Sequence, residues 1–352
     1  MKLHRISSPL LGGLLLTGLI IPAANATVDY PGPDLDGHVT VVGTLSAPAK
    51  GPGPGVVEQW KVGTAQIDQG QFGMPGTRAG NSLYAAYDPL HNNIYVATPV
   101  GRTAVLNGDG LGSIGSFASL KGARIARVTP DSEWVLELSP HALAAYSTLD
   151  WKQRFKLPVG GNALAFAPDS DHVFIGGNKD ATITELALPS GKIERHFNVG
   201  HSGDLVWANS ELYSADMKNG VLTALNPDTG QITRIRTPEV DPAFSYRNIP
   251  AARAGFMQIA VSPDQQHIYI AGFSGHILKF STVSDSFQGE VPVKAGAHGP
   301  NKLSGLAIID DGAQAMVTVE NRNESVVVRL ADGTILKKLP GAVSNRWVTY
   351  HT

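Results

Sequence analysis

Residues 162–200 form a unit that most of the remaining chain repeats. Four stretches in it, residues 163–167, 173–176, 182–188 and 193–197, show the apolar patterning of short β-strands. Turn signals such as Pro168-Asp169 separate these stretches, so the segment predicts a four-stranded antiparallel meander. A single sheet of about 40 residues leaves its faces exposed to water, and copies of it must therefore stack around a common axis.

Further copies of this unit recur at the spacing that is typical of propeller blades. They occupy residues 83–117, 124–157, 204–236, 256–293 and 303–339. Each copy opens with a strand-like stretch followed by a short polar turn, as in LYAAYDPLHNNIYVAT and FMQIAVSPDQQHIYIAG. With the segment described above, the chain therefore contains six complete repeats.

The two ends of the chain predict a seventh repeat between them. Residues 344–351 alternate like a first strand that has no successor, whereas residues 38–45 and 56–62 resemble two outer strands. Side by side they would close the ring and remove two free sheet edges. We therefore predict an all-β, seven-bladed β-propeller, closed by pairing of residues 346–351 with the N-terminal strands.

The fourth strand of this closing blade is harder to place. Residues 28–30 are the only candidate that we can offer for it. Residues 68–80, DQGQFGMPGTRAG, are rich in glycine and lack alternation, so we predict an irregular connection there.

The first 26 residues have the pattern of a secretory signal peptide. Lys2, His4 and Arg5 precede the apolar run of residues 10–21, and Ala24-Asn25-Ala26 fits a cleavage site. We predict a single propeller domain over residues 27–352, in the periplasm or secreted, with no membrane contact after cleavage. The alternative interpretation of residues 1–26 is an uncleaved membrane anchor.

Charge and cysteine content exclude several function classes. The chain has no cysteine, which excludes thiol chemistry, disulfides and covalent haem attachment through cysteine. Without Lys2 and Arg5, 26 basic residues face 30 acidic ones, a formal net charge of −4. This balance gives little electrostatic support for general polyanion binding.

The repeat motifs resemble those of the YVTN-type seven-bladed β-propellers, in particular their exported, YncE-like members. The likeness is carried by the turns of form x-P-D before strands such as HIYIAG, and by outer turns such as NPDTGQ at Asn226 and LPSGK at Leu188. The family includes binding proteins, lactonases and subunits of amine dehydrogenases. The resemblance therefore implies an architecture, and it leaves the function open.

Basic residues cluster where the chain enters the blades, at the predicted mouth of the central channel. Five of the seven blade starts carry Arg or Lys, and only one, at Asp204, carries an acid. Arginine and lysine converging on a partly dry funnel favour a carboxylate or a phosphate. The predicted ligand-binding residues are Arg78, Arg124, His201, Arg247, Arg253, His298, Lys302 and Arg346. The competing interpretation is that these cations pair with acids of neighbouring loops and only solubilise the rim.

The longest insertion, residues 237–255, comes just before the fifth complete repeat. It carries Phe244, Tyr246 and two arginines, which predicts either a lid or stacking surface over the mouth or a cover for a sheet edge. The 11 histidines show no metal-binding spacing. His201, Asp204 and His298 are too scattered to favour an ion, so we predict no metal.

Three classes of function are compatible with these patterns. The first is a non-catalytic binding or scaffolding protein that accepts an anionic ligand or a partner protein at its mouth, without a cofactor. The second is an enzyme, either a lactonase-like hydrolase or the propeller subunit of a periplasmic amine or quinone dehydrogenase. The third is a DNA-binding, YncE-like protein, in which Phe244 and Tyr246 would stack on bases. No catalytic motif stands out, and we therefore favour the first class.

Overall fold

A computed structural model describes most of the chain. It covers residues 38–45, 55–61, 67–72, 84–177, 181–216, 219–237, 255–295, 301–309, 312–322, 324–339 and 343–351. For residues 38–45, 55–61, 67–72, 339 and 343–351 the description is limited to the backbone. The predicted signal segment lies outside the described residues, and within them no helix has the length and apolar character needed to cross a membrane.

The described chain is built from β-strands, with one short 3-10 turn at Glu320–Arg322. The strands are β1 (His38–Leu45), β2 (Gly55–Lys61), β3 (Ile67–Phe72), β4 (Ala85–Asp88), β5 (Asn93–Thr98), β6 (Arg102–Asn107), β7 (Ser113–Ala118), β8 (Ile125–Val128), β9 (Trp134–Leu138), β10 (Leu143–Ser147), β11 (Gln153–Leu157), β12 (Ala163–Phe166), β13 (His172–Gly176) and β14 (Thr182–Ala187). They continue with β15 (Lys192–Asn198), β16 (Asp204–Ala208), β17 (Glu211–Asp216), β18 (Val221–Leu225), β19 (Ile232–Arg236), β20 (Phe256–Val261), β21 (His267–Gly272), β22 (His276–Ser281), β23 (Ser286–Pro292), β24 (Leu303–Ile309), β25 (Gln314–Val319), β26 (Glu324–Arg329), β27 (Ile335–Leu339) and β28 (Val343–His351).

These strands form seven antiparallel four-stranded sheets, which we call blades 1 to 7. Blades 1 to 6 begin at β4, β8, β12, β16, β20 and β24 and correspond to the six predicted repeats. Each of these first strands contacts the first strand of the next blade, and β28 contacts both β24 and β4. The contacts therefore close a ring, and the predicted all-β propeller is confirmed.

Blade 7 is shared by the two ends of the chain, in the order β28-β1-β2-β3. Strand β28 pairs antiparallel with β1, so that His351 lies opposite His38 and Val343 opposite Leu45. This register confirms the predicted closure by the C-terminal segment. The first strand of the blade thus comes from the end of the chain, and the other three come from its beginning.

The prediction for residues 68–80 is wrong over its first part. Strand β3 pairs with β2 and is the outermost strand of blade 7, so that β1 and β2 occupy its second and third places. Outermost strands are exposed at many positions and therefore need little apolar alternation. The outermost strand of blade 3, β15, is exposed at six of its seven positions, and a segment such as IDQGQF gives equally little signal. The other candidate for this strand, residues 28–30, lies outside the described residues.

The Pro-Asp turns between first and second strands have a common geometry. The Oδ1 atom of Asp131 accepts a hydrogen bond from the N–H of Glu133 at 3.0 Å, and Asp169 and Asp264 make the equivalent bond to the second residue after them. The residue after each aspartate has a positive φ: Ser132 (60°), Ser170 (64°) and Gln265 (57°). The aspartate thus satisfies a backbone donor within a tight turn, which explains why the motif recurs.

The apolar core lies between neighbouring blades. It is formed by inner and middle strands, whose burial is nearly complete in β8, β10, β12, β18, β20 and β24. Large side chains such as Tyr95, Phe166, Tyr213 and Phe280 are almost fully enclosed. Packing of this kind fixes each blade against the next and so positions the loops at both ends of the channel.

Candidate functional site

One face of the propeller carries both the residues that precede first strands and the loops that join second to third strands. We call it the mouth face. The strands of each blade run up and down in order, so the turns after first and third strands lie on the opposite face. Arg124, His201 and Lys302 all lie just before a first strand and are therefore brought to the mouth face.

The cations at the described blade starts differ in their surroundings. The side chain of Arg124 is exposed, and its backbone N–H donates to the carbonyl of Leu138 at 3.0 Å. Lys302 is half-buried, and its backbone N–H donates to Asn321 Oδ1 at 2.9 Å. In the part of the chain that is described, the salt bridges involve neither Arg124 nor Lys302.

The remaining predicted ligand residues are not placed at the level of side chains. Arg78, Arg247, Arg253 and His298 lie outside the described residues. Arg346 lies in β28, where the pairing with β1 shifts register between Val41 and Gly43, so its backbone is part of a bulge. The insertion at 237–255 is described only at its two ends, and its predicted role as a lid stays a prediction.

The single acid at a blade start, Asp204, lies in a buried network that spans the central channel. Its Oδ2 atom accepts hydrogen bonds from the Tyr84 hydroxyl at 2.8 Å and from the backbone N–H of Ile259 at 3.1 Å. Tyr84 precedes blade 1, whereas Asp204 belongs to blade 4, and these blades are not neighbours in the ring. The guanidinium of Arg127, from blade 2, lies 3.6 Å from the centre of the Tyr84 ring.

Burial dominates the electrostatics of this network. It raises the pKa of Asp204 to about 6, although the charge of Arg127 and the hydrogen bonds from Ile259 and Tyr84 act in the opposite direction. Burial likewise raises the pKa of Tyr84 well above its ordinary value, so its hydroxyl remains a donor. Asp204 therefore holds inner strands together at the axis, and its carboxylate is already used by partners within the protein.

A second bond of the same kind links the next two blades. Gln258 of β20 is fully buried, and its Oε1 atom accepts a hydrogen bond from the N–H of Leu306 in β24 at 2.9 Å. In both cases a side chain of one first strand accepts from the backbone of the following first strand. Blades 4, 5 and 6 are thus joined in succession at the channel wall, which the sequence patterns did not indicate.

Glu137 in β9 is a buried acid at the junction of blades 1 and 2. It accepts a short hydrogen bond from the Thr103 hydroxyl and another from the N–H of Leu120 at 3.0 Å. Burial raises the pKa of Glu137 from 4.5 to about 7, and these two hydrogen bonds only partly offset it. The folded protein therefore binds a proton at Glu137 that the unfolded chain releases at lower pH.

The raised pKa of Glu137 predicts a pH-dependent stability. Between pH 4.5 and 7 the folded state binds more protons than the unfolded state, so the free energy of unfolding falls as the pH rises, by about 3 kcal/mol in total. Glu137→Gln keeps the shape without the charge and should be more stable than the wild type above pH 7. Urea denaturation from pH 4.5 to 8 measures the free energy of unfolding of both proteins. The exposed control Glu133→Gln should show the same dependence on pH as the wild type. If Glu137→Gln also shows that dependence, the prediction is wrong.

One group of side chains has the spacing of metal ligands. Ligand atoms of His172, Glu185 and Glu194 lie within 4.8 Å of one another, with His172 Nε2 at 3.3 Å from Glu194 Oε2. Glu185 is buried, and both of its oxygens accept hydrogen bonds from the guanidinium of Arg195. The charge of Glu185 is thus already neutralised, and this group is better explained as a structural ion-pair cluster.

A cavity of about 520 Å³ opens between blades 3 and 4. It lies at the mouth face, where β15 and β19 end and the loop from β17 to β18 begins. Its lining residues are Val199, Gly200, Asp216, Asn219, Val221, Arg234, Arg236 and Thr237. Sequence reasoning concentrated on blade starts and missed it; the available signal was the Arg-x-Arg pattern at the end of an outermost strand, in ITRIRT.

Comparisons with known proteins identify the fold through structure. No protein-family model matches the chain, and no curated protein matches its sequence. A functionally unknown protein from Desulfotomaculum acetoxidans matches with a TM-score of 0.67 and 12% identity, covering 89% of this chain and 98% of that one. The likeness concerns the fold alone.

Two further solved structures match over most of this chain. Hydrazine synthase of Kuenenia stuttgartiensis has a TM-score of 0.60 and 9% identity, covering 74% of this chain and 80% of that one. The dihydro-heme d1 dehydrogenase NirN, in complex with DHE, has a TM-score of 0.60 and 13% identity, covering 91% of this chain and 76% of that one. At these identities the matches support the propeller architecture and carry no information about activity.

Proposed function

We propose that this chain is a non-catalytic ligand-binding propeller that accepts an anionic group at its mouth face. The observation that carries the proposal is the separation of charges at the blade starts. Arg124 and Lys302 lie at the mouth face outside the salt bridges of the described residues, whereas the one acid of the blade starts, Asp204, is buried at the axis. The mouth face therefore presents positive charge in a protein whose predicted mature form is net acidic.

The surroundings of these groups support binding more than catalysis. General acid–base chemistry requires a titratable group within hydrogen-bond reach of a reacting atom. Burial raises the pKa of three described acids, and two of them, Asp204 and Glu137, are buried and hydrogen-bonded to protein donors. The third, Asp285, lies in the turn between β22 and β23, on the face opposite the mouth. An anion at the mouth, by contrast, needs only the fork of an arginine and the ammonium of a lysine. The resemblance to YVTN-type propellers is compatible with this function, since that family includes binding proteins.

The proposal predicts that anions stabilise the protein through these cations. Phosphate, sulfate or citrate should raise the melting temperature in a saturable manner, and chloride at equal ionic strength should not. Arg124→Ala and Lys302→Ala should each weaken this binding by roughly ten- to a hundredfold, because a hydrogen bond to a charged group contributes about 1.5–3 kcal/mol, and the combined variant should weaken it further. Thermal-shift titration and isothermal titration calorimetry measure both effects.

A charge-matched control separates specific binding from the loss of positive charge. Lys152→Gln with Arg154→Gln removes two exposed cations that pair with Asp150 in the turn between β10 and β11 of blade 2. This control should bind anions as the wild type does. A response to lactones or metal ions in place of anions would contradict the proposal and favour the hydrolase or redox-subunit alternative.

A further inference from the structure

The cavity between blades 3 and 4 contains two arginines on one edge of the sheet. Arg234 and Arg236 are two residues apart in β19, so their side chains leave the strand on the same side. Both are exposed, and both line the cavity. The guanidinium of Arg234 donates to the carbonyl of Asn198 at 3.1 Å, which holds it across the junction between the two blades.

Blade 4 departs from blades 1, 2, 3 and 5 at these two positions. Arg236 lies opposite Val221, the first residue of strand β18, and Arg234 lies opposite Thr223, the third residue of that strand. The equivalent pairs are Ser116 and Ala118 in blade 1, Phe155 and Leu157 in blade 2, His196 and Asn198 in blade 3, and Glu290 and Pro292 in blade 5. In blade 6 a lysine, Lys338, lies opposite the third residue of the third strand, and its Nζ donates to the carbonyl of Ala295 at 3.1 Å. The paired arginines are thus not dictated by the repeat.

A buried polar group in the cavity wall also lacks a partner. Thr237 follows Arg236, is only 6% exposed, and its hydroxyl has no hydrogen-bond partner among the described residues. An unpaired buried hydroxyl costs free energy, and such groups in folded proteins call for an explanation. A ligand oxygen would supply the missing partner.

The negative charge in the cavity is already engaged. Asp216 accepts hydrogen bonds from the backbone N–H of Asn219 at 3.0 Å and from its Nδ2 at 2.8 Å, within the turn that joins β17 to β18. Two guanidinium groups against this one carboxylate leave a net positive charge on the lining. Val199 and Val221 give the cavity an apolar wall as well.

We propose that this cavity is a binding site for a small organic anion, either a carboxylate or a phosphate ester. Its charged group is held by Arg234 and Arg236 and accepts a hydrogen bond from Thr237, and its organic part lies against Val199 and Val221. A volume of about 520 Å³ exceeds that of inorganic phosphate and is in the range of pockets for small organic ligands. This inference goes beyond the proposed function, because it adds a second anion site on the mouth face that does not involve Arg124 or Lys302.

The test uses the purified protein with benzoate, phenyl phosphate, inorganic phosphate and uncharged benzamide as probes. Titration calorimetry should show binding of benzoate or phenyl phosphate, with benzamide at least tenfold weaker; the comparison of the first two distinguishes a carboxylate site from a phosphate-ester site. Arg234→Gln with Arg236→Gln should weaken that binding by at least thirtyfold. Arg154→Gln with Arg329→Gln removes the same charge from two exposed arginines that pair with Asp150 and Asp332, and should leave it unchanged.

Thr237→Val provides a second variant that preserves the shape of the wall. Removing an unpaired buried hydroxyl should leave the melting temperature of the free protein equal or higher, while binding of the probe should weaken about tenfold. A purely structural hydroxyl would leave the affinity for the probe unchanged, and this result would overturn the assignment of Thr237 to the site.

The outcomes separate this inference from the proposed function. If the probe no longer binds to the Arg234→Gln/Arg236→Gln variant but still binds to the Arg124→Ala/Lys302→Ala variant, the result supports the cavity as the binding site. Binding that is lost only in the Arg124 and Lys302 variant overturns the cavity and retains the proposed function. If neither benzoate nor phenyl phosphate binds to the wild type, the inference is wrong even where sulfate or citrate binds at the mouth.

Discussion

Removal of residues 343–352 should abolish the cooperative fold of this propeller. Strand β28 is the first strand of blade 7 and is paired along β1 at seven positions. Backbone hydrogen bonds contribute about 0.5–1.5 kcal/mol each, so the loss of this pairing alone costs about 4–10 kcal/mol. The free energy of unfolding of a typical domain is about 5–15 kcal/mol, and β28 also contacts β24 and β4 on either side. The truncation therefore opens the ring and exposes two inner strands to water.

Urea denaturation followed by circular dichroism and by the fluorescence of the tryptophans tests this prediction. The truncated chain should unfold at much lower urea than the wild type, or should elute as an aggregate in size-exclusion chromatography. Deletion of Thr352 alone, which follows β28, is the control and should have no effect. A synthetic peptide of residues 341–352 should restore stability in trans, because it can pair with the edge of β1. A truncated chain as stable as the wild type would show that the ring is closed by other contacts.

The architecture could be predicted from sequence because the inner and middle strands of each blade carry the repeated pattern. Strands such as β12 and β21 must bury side chains against both neighbouring blades, and their turns need residues that tolerate special backbone geometry, as Asp169 and Ser170 do. These constraints leave visible patterns. Strand β3 escaped prediction because an outermost strand is held mainly by backbone pairing with β2, which any sequence without proline can provide.

The candidate sites were predictable only where position in the repeat determines position in the ring. The blade starts follow directly from the repeat, so Arg124 and Lys302 could be assigned to the mouth face. The bond between Tyr84 and Asp204 joins residues 120 positions apart across the channel, and no local pattern indicates it. The cavity lined by Arg234 and Thr237 depends equally on how blade 3 lies against blade 4. The sequence thus indicated on which face of the propeller a single residue lies. Which residues it contacts depends on how the blades pack against one another.

Asp204 offers a test of which property of a buried acid matters at the channel axis. Its Oδ2 atom is the common acceptor for the Tyr84 hydroxyl and the Ile259 N–H. Replacement by alanine removes this acceptor from two buried donors, at about 1–3 kcal/mol each, and we expect Asp204→Ala to lose about 3–5 kcal/mol of stability at pH 7.5. Burial raises the pKa of this carboxyl to about 6 despite the charge of Arg127, so the ionised form, which still predominates at pH 7.5, is less stable in the protein than in water. Asp204→Asn keeps an oxygen for both donors and should differ from the wild type by only about 1 kcal/mol.

Urea denaturation of the two variants at pH 7.5 decides between the acceptor and the charge. If hydrogen bonding dominates, Asp204→Asn should retain most of the free energy of unfolding that Asp204→Ala loses. In a Tyr84→Phe background the cost of Asp204→Ala should fall by about 1 kcal/mol, because only the Ile259 N–H then remains unpaired. Asp228→Ala, at an exposed position in the turn between β18 and β19, is the control for the loss of one negative charge. If asparagine proves as damaging as alanine, the attraction between Asp204 and Arg127 outweighs the hydrogen bonds, and the buried network is held by charge.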